Sequence, residues 1–216
     1  MKNMLISISG IDNAGKTTQI ENLLAYFKEK NAKAVRVWSR GGYTPIYNFL
    51  KTMLRRVLRG KLPEPGKSLQ REKLLQTGNI SKIWLFLAIS DLILYYGIYI
   101  RMQKYLFRRI ILADRYLIDT YIDFRLNFNR IPFYNWYIWK LLISVTPTPD
   151  KSIFLSIPLN IAQKRSETKK EPYPDSNEMR ILRFRYYKKI GKRWKTIDCT
   201  KDINSITEEI IRYITS

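Results

Sequence analysis

The stretch Gly10 to Thr17 reads G-I-D-N-A-G-K-T, and no other feature restricts the fold of this chain as tightly. It matches G-x-x-x-x-G-K-[ST] without a mismatch. Directly before it, Leu5 to Ser9 is a short apolar run of the kind that forms a buried parallel strand. Directly after it, Lys16 to Lys30 places apolar residues at Ile20, Leu23, Leu24 and Phe27, the spacing of one helix face. Strand, glycine turn and helix in that order form a phosphate cradle. Backbone N–H groups from Gly10 through Ile11, Asp12, Asn13, Ala14, Gly15 and Lys16 to Thr17 and Thr18 would surround the ligand, and the helix N-terminus adds its positive dipole end. Lys16 would reach the β and γ oxygens of ATP, and the Thr17 hydroxyl would ligate Mg2+. A purely structural glycine turn is the alternative, and the flanking strand and helix argue against it.

Apolar patterning beyond the loop alternates strands with helices. Ala34 to Trp38 is predicted as a second strand and Pro45 to Leu58 as a basic amphipathic helix, with a Gly/Pro-rich loop from Gly60 to Gly66. A helical pattern then continues to about Leu106. Arg109 to Asp114 is predicted as a third strand, two helices fill Leu117 to Val145, and Ser152 to Ile157 is a fourth strand. A charged stretch, Lys164 to Ser176, precedes a helix over Asn177 to Ile190, a strand over Trp194 to Ile197 and a closing helix over Ile203 to Ile214. This order predicts an α/β fold with a mostly parallel sheet covered on both faces. The 216 residues read as one domain, 1–216, without repeats or linkers.

Composition removes several chemistries. The chain has no histidine, which excludes Ser-His-Asp hydrolysis, histidine zinc sites and phosphohistidine intermediates. Its one cysteine, Cys199, leaves no internal disulfide and fits a reducing, cytoplasmic setting. The N-terminus does not read as a signal peptide. A net charge of +21 favours polyanionic partners, whether nucleotide, nucleic acid or membrane surface, or else reflects a Lys/Arg-rich host composition. The apolar run Ile83 to Ile100 approaches the length of a membrane span, but Asp91 lies at its centre. It reads as a buried core helix, and no membrane partner is expected.

Asp114-Arg115-Tyr116 is the second functional cue. A carboxylate ending a core strand can hold magnesium or its water, and the neighbouring guanidinium can clamp a phosphate. Such a strand-end acid also serves as a simple helix cap elsewhere.

Taken together these residues resemble the thymidylate kinase family, one of the P-loop nucleoside monophosphate kinases. The loop G-I-D-N-A-G-K-T-T is similar to that family's G-x-D-G-x-G-K-[ST]-[ST], and D-R-Y is similar to its D-R-Y/H. Arg40-Gly41-Gly42-Tyr43-Thr44-Pro45-Ile46 is an altered form of its R-E-P-G-G-T-P-I segment. The resemblance implies a P-loop NTPase three-layer sandwich, with a five-stranded parallel sheet, helices on both faces and a lid over about 162–176. It implies transfer of the ATP γ-phosphoryl group to a nucleoside monophosphate, dTMP in that family. Phe86 would stack on the acceptor base, and Arg40 and Arg115 would hold its phosphate. Asp12 would lie near its sugar, with Asp91 and Tyr116 in the same pocket. Lys16, Asp12, Arg115 and the lid residue Arg165 would carry the catalysis, helped by Lys169 and Lys170, with Thr17 and Asp114 on the metal. A homodimer is also implied, and the aromatic segment Phe124 to Trp139 offers a surface for it.

The chain departs from that pattern in places. No arginine follows Phe86, where the family reads a thymine carbonyl, and Asp119 and Asp123 replace a serine and an aromatic after D-R-Y. Other readings of single residues stay open: Phe86 as a core aromatic, Arg40 as a solvated loop charge, and the three aspartates as partners for surplus arginines. The bases of Lys164 to Ser176 could equally be a solvated charge run. At the level of the whole chain, the rivals are a kinase of another nucleotide or nucleoside, a nucleic-acid-associated P-loop ATPase and a non-catalytic relative. No nucleic-acid-binding signature is visible, so nucleic acid is not the expected partner.

Overall fold

The computed structural model describes residues 3–39, 79–169, 176–190 and 194–216. The helix expected over Pro45 to Leu58, the Gly60 to Gly66 loop, Arg40 and Lys170 lie outside those residues, as does the side chain of Lys169.

Five strands, β1 (Leu5–Ser9), β2 (Ala34–Trp38), β3 (Ile110–Asp114), β4 (Lys151–Ser156) and β5 (Lys195–Asp198), form one sheet in the order β2-β3-β1-β4-β5. Every neighbouring pair is parallel. The central strands β1 and β3 are buried at every residue, as their uninterrupted apolar runs require for a sheet covered on both faces. The edge strands β2 and β5 mix buried with exposed positions.

Helix α1 (Lys16–Glu29) follows β1, and α2 (Asn79–Leu94) continues through wider π-helical turns over Tyr95–Ile100 and Met102–Leu106. After β3 come α3 (Leu117–Asn127), a 3-10 turn at Phe133–Asn135 and α4 (Tyr137–Val145). Helices α5 (Leu159–Lys169) and α6 (Asn177–Ile190) lie between β4 and β5, and α7 (Ile203–Thr215) closes the chain. Two apolar clusters sandwich the sheet. On one face Ile6, Ile8 and Leu112 meet Ile20, Leu23 and Phe27 of α1 and Ile206 and Ile210 of α7. On the other, Leu5, Ile111 and Ala113 meet Leu85, Ile89 and Leu92 of α2 and Leu142 of α4. The expected three-layer α/β sandwich is present.

Three local expectations change. The segment Ser81–Leu106 is long and apolar enough to cross a membrane by length and composition, yet it is not a wholly buried core helix. Leu85, Ile89, Leu92, Tyr96 and Ile100 face the core, while Ile83, Phe86, Leu94, Ile98 and Met102 are exposed. The first half of the predicted lid is a regular helix, α5, because Leu159 to Lys169 contains no breaker before Pro172. The aromatic segment expected to form a surface turns largely inward: Phe124, Phe128, Phe133 and Trp139 are buried and pack edge to face, with Phe133 and Trp139 centroids 5.0 Å apart. Of the aromatic residues in that segment only Tyr134 and Tyr137 are exposed.

Candidate active site

The carboxyl ends of β1, β3 and β4 meet where the chain order reverses across the sheet, the crevice in which open α/β folds bind ligands. The loop leaving β1 bends through Gly10, whose φ is 158°; a Cβ there would sit 2.6 Å from the Leu155 carbonyl oxygen of β4. Glycine is therefore required at this position for the loop to pass close to β4. Asn13 adopts φ 65°, the left-handed conformation that asparagine tolerates better than other non-glycine residues. This explains how asparagine stands where the related motif has glycine. At Gly15 (φ 88°) a Cβ would meet no atom within 4 Å, so the space above the turn is open at the N-terminus of α1.

The Lys16 ammonium folds back into the loop, donating to the carbonyl oxygens of Gly10 (2.9 Å) and Ile11 (2.8 Å). Burial, and then the nearby Arg115 charge, lower its pKa from 10.5 to about 8, only partly offset by Asp12, Asp119 and Asp114. Thr17 is exposed at the first turn of α1.

Arg115 follows the last residue of β3 with φ 70°, an unusual backbone conformation for a residue with a long side chain. Its amide donates to Ile8 O (3.2 Å), and its carbonyl accepts from Ser39 Oγ (3.3 Å). Ser39 in turn shares a hydrogen bond with the Tyr96 hydroxyl (2.6 Å). This support from β1, β2 and α2 fixes the turn that aims the guanidinium at the phosphate loop, where Nη2 pairs with Asp12 Oδ1. Nη1 is buried and has no hydrogen-bond partner among the described residues. A buried donor left without an acceptor is costly, so a site for an anion is the natural reading of that atom.

Asp114 ends β3 with its carboxylate paired to Arg36 of β2. Among the described residues no group of three or more histidine, cysteine or carboxylate side chains forms a metal cluster. The oxygen chemistry available, the Thr17 hydroxyl with Asp114, fits a magnesium ion that keeps waters and binds chiefly to substrate phosphate.

The remaining expected residues divide. Lys16, Asp12, Arg115 and Asp114 come together at the loop. Arg165, on α5, sits on its other flank, donating to Asn13 O (3.3 Å) and Cys199 O (3.2 Å). Tyr116 points away: its ring lies 4.8 Å from that of Tyr96, and its buried hydroxyl donates to Pro147 O (2.8 Å), which leaves nothing of it for a pocket. Phe86 is 50% exposed and Asp91 2% exposed; five positions apart on a helix, they point roughly 140° from one another. A single acceptor pocket cannot be lined by both in this arrangement.

Asp119 and Asp123 of α3 are buried in a polar layer beneath the loop. Asp119 accepts from Ser9 Oγ (2.6 Å), the Tyr116 amide (2.8 Å) and the Tyr187 hydroxyl. Burial pushes its carboxyl above the usual range, opposed by Arg115 and by those three hydrogen bonds. Asp123 pairs with Arg183 of α6, itself almost fully buried. Neither Arg36 nor Arg183 lies in a motif that would mark it as a site-forming residue. A basic residue inside the apolar strand A-V-R-V-W was the one available signal for Arg36.

Among curated proteins, the chain is similar to the thymidylate kinase of Plasmodium falciparum (isolate 3D7), at 24% identity over 221 residues, covering 99% of this chain and 90% of that protein. It is also similar to the thymidylate kinase of Blochmanniella pennsylvanica (strain BPEN), at 22% identity over 229 residues, covering 99% and 96%. No family model matches the chain.

Proposed function

We propose that this protein is a nucleoside monophosphate kinase that moves the γ-phosphoryl group of ATP onto an acceptor phosphate, with dTMP as the acceptor. The observation that carries the reading is Arg115: a buried guanidinium, with Nη2 pinned by Asp12 and Nη1 unpartnered among the described residues, beside a complete phosphate loop. The similarity to two thymidylate kinases over nearly the whole chain supports the choice of acceptor.

Phosphoryl transfer asks a protein for position and charge neutralisation more than for a strong base, so the absence of histidine is no obstacle. Lys16 would exchange its two loop carbonyls for β and γ oxygens. Arg115 would present its free nitrogen to the phosphate that passes between donor and acceptor. Magnesium entering with ATP would be held by Thr17 and Asp114 and would neutralise charge on the bridging oxygens. Arg165 would have to leave Asn13 and Cys199 to reach the γ-phosphate; from where it sits, it borders the donor side of the loop.

The test is ADP production from ATP with a panel of purine and pyrimidine monophosphates, and with the matching nucleosides. Turnover restricted to monophosphates, with dTMP among the best, is the expected result. Turnover with a nucleoside alone, or only with added nucleic acid, would overturn the proposal.

A further inference from the structure

Arg36 belongs to a strand with no assigned chemistry, yet it reaches the centre of the site. In the β2–β3 register Arg36 lies opposite Leu112 and Trp38 opposite Asp114. Side chains alternate faces along a strand, so Arg36, Leu112 and Asp114 share one face. Leu112 packs with Ile8 and the α1 residues Ile20 and Leu23, so this is the face that carries the phosphate loop. From there the Arg36 guanidinium reaches diagonally to Asp114, Nη2 to Oδ2.

The two partners differ in their freedom. The Asp114 side chain is 5% exposed, whereas that of Arg36 is 34% exposed and comes from an edge strand. The carboxylate is fixed, and the guanidinium has water beside it to retreat into. An oxygen engaged by a guanidinium cannot give the same lone pair to a divalent cation or to a water on that cation.

We propose that Arg36 is an internal counter-ion that competes with divalent metal for Asp114. It holds Oδ2 and neutralises the carboxylate against free metal, and yields when metal arrives together with nucleotide phosphate. The inference rests on the reading of the loop as a magnesium–nucleotide site. Without Arg36, Asp12 and Asp114 would leave the crevice more acidic and open to adventitious divalent ions. With it, the metal gains a place only when the phosphate oxygens supply its remaining ligands.

The experiment is a Mn2+ titration of the full chain followed by electron paramagnetic resonance, with and without a non-hydrolysable ATP analogue. A charge-assisted contact of this kind, discounted for the one-third exposure of the arginine, corresponds to about a tenfold change. Arg36→Gln is expected to bind Mn2+ about tenfold more tightly with the analogue, and to show measurable Mn2+ binding without it. Arg36→Lys, a milder change that retains the charge, should fall between the two and covers the case in which the glutamine variant folds poorly. In an Asp114→Asn background, Arg36→Gln should change Mn2+ binding far less, because the contested carboxylate is gone. Mn2+ binding to a natively folded Arg36→Gln protein that is unchanged or weaker would overturn the inference while leaving the nucleotide site intact. Failure of the wild-type chain to bind the Mn2+–analogue pair at all would overturn both readings.

Discussion

Lys16 gives the most demanding test of the site's electrostatics. Its side chain is 8% exposed and close to Arg115, and its pKa is lowered to about 8. A bound triphosphate supplies the counter-charge that burial removed, and should return the pKa towards its ordinary value of about 10.4. At pH 8.5 roughly a quarter of Lys16 is then protonated before binding and nearly all of it after, an uptake of about 0.7 proton per nucleotide. A nucleotide analogue whose last phosphate ionisation lies at about 6 contributes little to this signal at pH 8.5, so an oxygen-bridged analogue is the ligand to use. Cys199 is equally silent, because burial holds its thiol up at about 12. Affinity should consequently fall about fivefold per pH unit near 8.5 and change little near pH 7. Calorimetric titration with a non-hydrolysable ATP analogue at pH 8.5, in buffers of different ionisation enthalpy, reads the uptake directly. Lys16→Arg, whose charge is permanent, should show a slope near zero. A wild-type slope near zero at pH 8.5 would refute the reasoning, since Lys16 would then be fully charged in the free protein. The same shift has a consequence for stability. The folded pKa lies below the unfolded one, so the unfolded chain holds more protons between pH 8 and 10.5, and this group's unfavourable contribution is present in full below pH 8 and is relieved as pH rises through that window. Lys16→Met should therefore melt higher relative to wild type at pH 7 than at pH 10.

Other substitutions probe the geometry. Gly10→Ala places a methyl group 2.6 Å from Leu155 O, so β1 and β4 must separate, at a cost of about 1–3 kcal/mol in chemical denaturation; unchanged stability would contradict the close approach. Arg115→Ala should lower kcat/KM for the acceptor about a hundredfold, roughly 3 kcal/mol, with a far smaller effect on affinity for the ATP analogue. An equal loss in both would move Arg115 to the donor side. Asp123→Ala leaves Arg183 buried without its carboxylate and should cost about 3–5 kcal/mol, whereas Asp123→Leu combined with Arg183→Met should recover most of it. A double variant no more stable than the single one would show that the pair does not act as a unit.

How much of this was legible in the sequence depended on the range of the interaction involved. Leu5–Ser9 and Ile110–Asp114 were readable as strands because a strand covered on both faces must be apolar throughout, and both are buried at every residue. The phosphate loop was readable because its backbone angles admit few residues: glycine at 10 and 15, and asparagine at 13. Interactions that join distant segments left no such trace. Nothing in M-R-I-L-R-F-R-Y-Y marks Arg183, rather than Arg180 or Arg185, as the one turned inward, and its partner Asp123 lies 60 residues away. Tyr116 was read beside Arg115 because the two are adjacent. The left-handed turn at Arg115 separates them, sending the guanidinium to the loop and the phenol into the core. Phe86 and Asp91 were grouped by proximity along a helix that is apolar on both sides, where spacing alone cannot tell the core face from the solvent face.

The charge of the chain acquires a different meaning once its distribution is known. A surplus of +21 favoured polyanionic partners or reflected a Lys/Arg-rich host composition, but among the described residues the layer around Arg115 is largely paired. Lys16, Arg36, Arg115 and Arg183 meet Asp12, Asp114, Asp119 and Asp123, and ion pairs join Asp12 to Arg115, Asp114 to Arg36 and Asp123 to Arg183. This paired layer does not attract an anion by its own net charge, and Arg165 on the other flank of the loop adds a cation outside it. The layer offers a cation whose present partners are weaker than phosphate, Lys16 on its two carbonyl oxygens, and a second, Arg115, whose Nη1 is left over by the Asp12 pair. Nucleotide affinity then depends on exchanging those partners, and the buried charges remain compensated both before the ligand enters and after. Asp12 is central to that arrangement, lying within 3.9 Å of Lys16 while paired with Arg115 Nη2, so one carboxylate steadies both cations and leaves Arg115 Nη1 for an arriving phosphate.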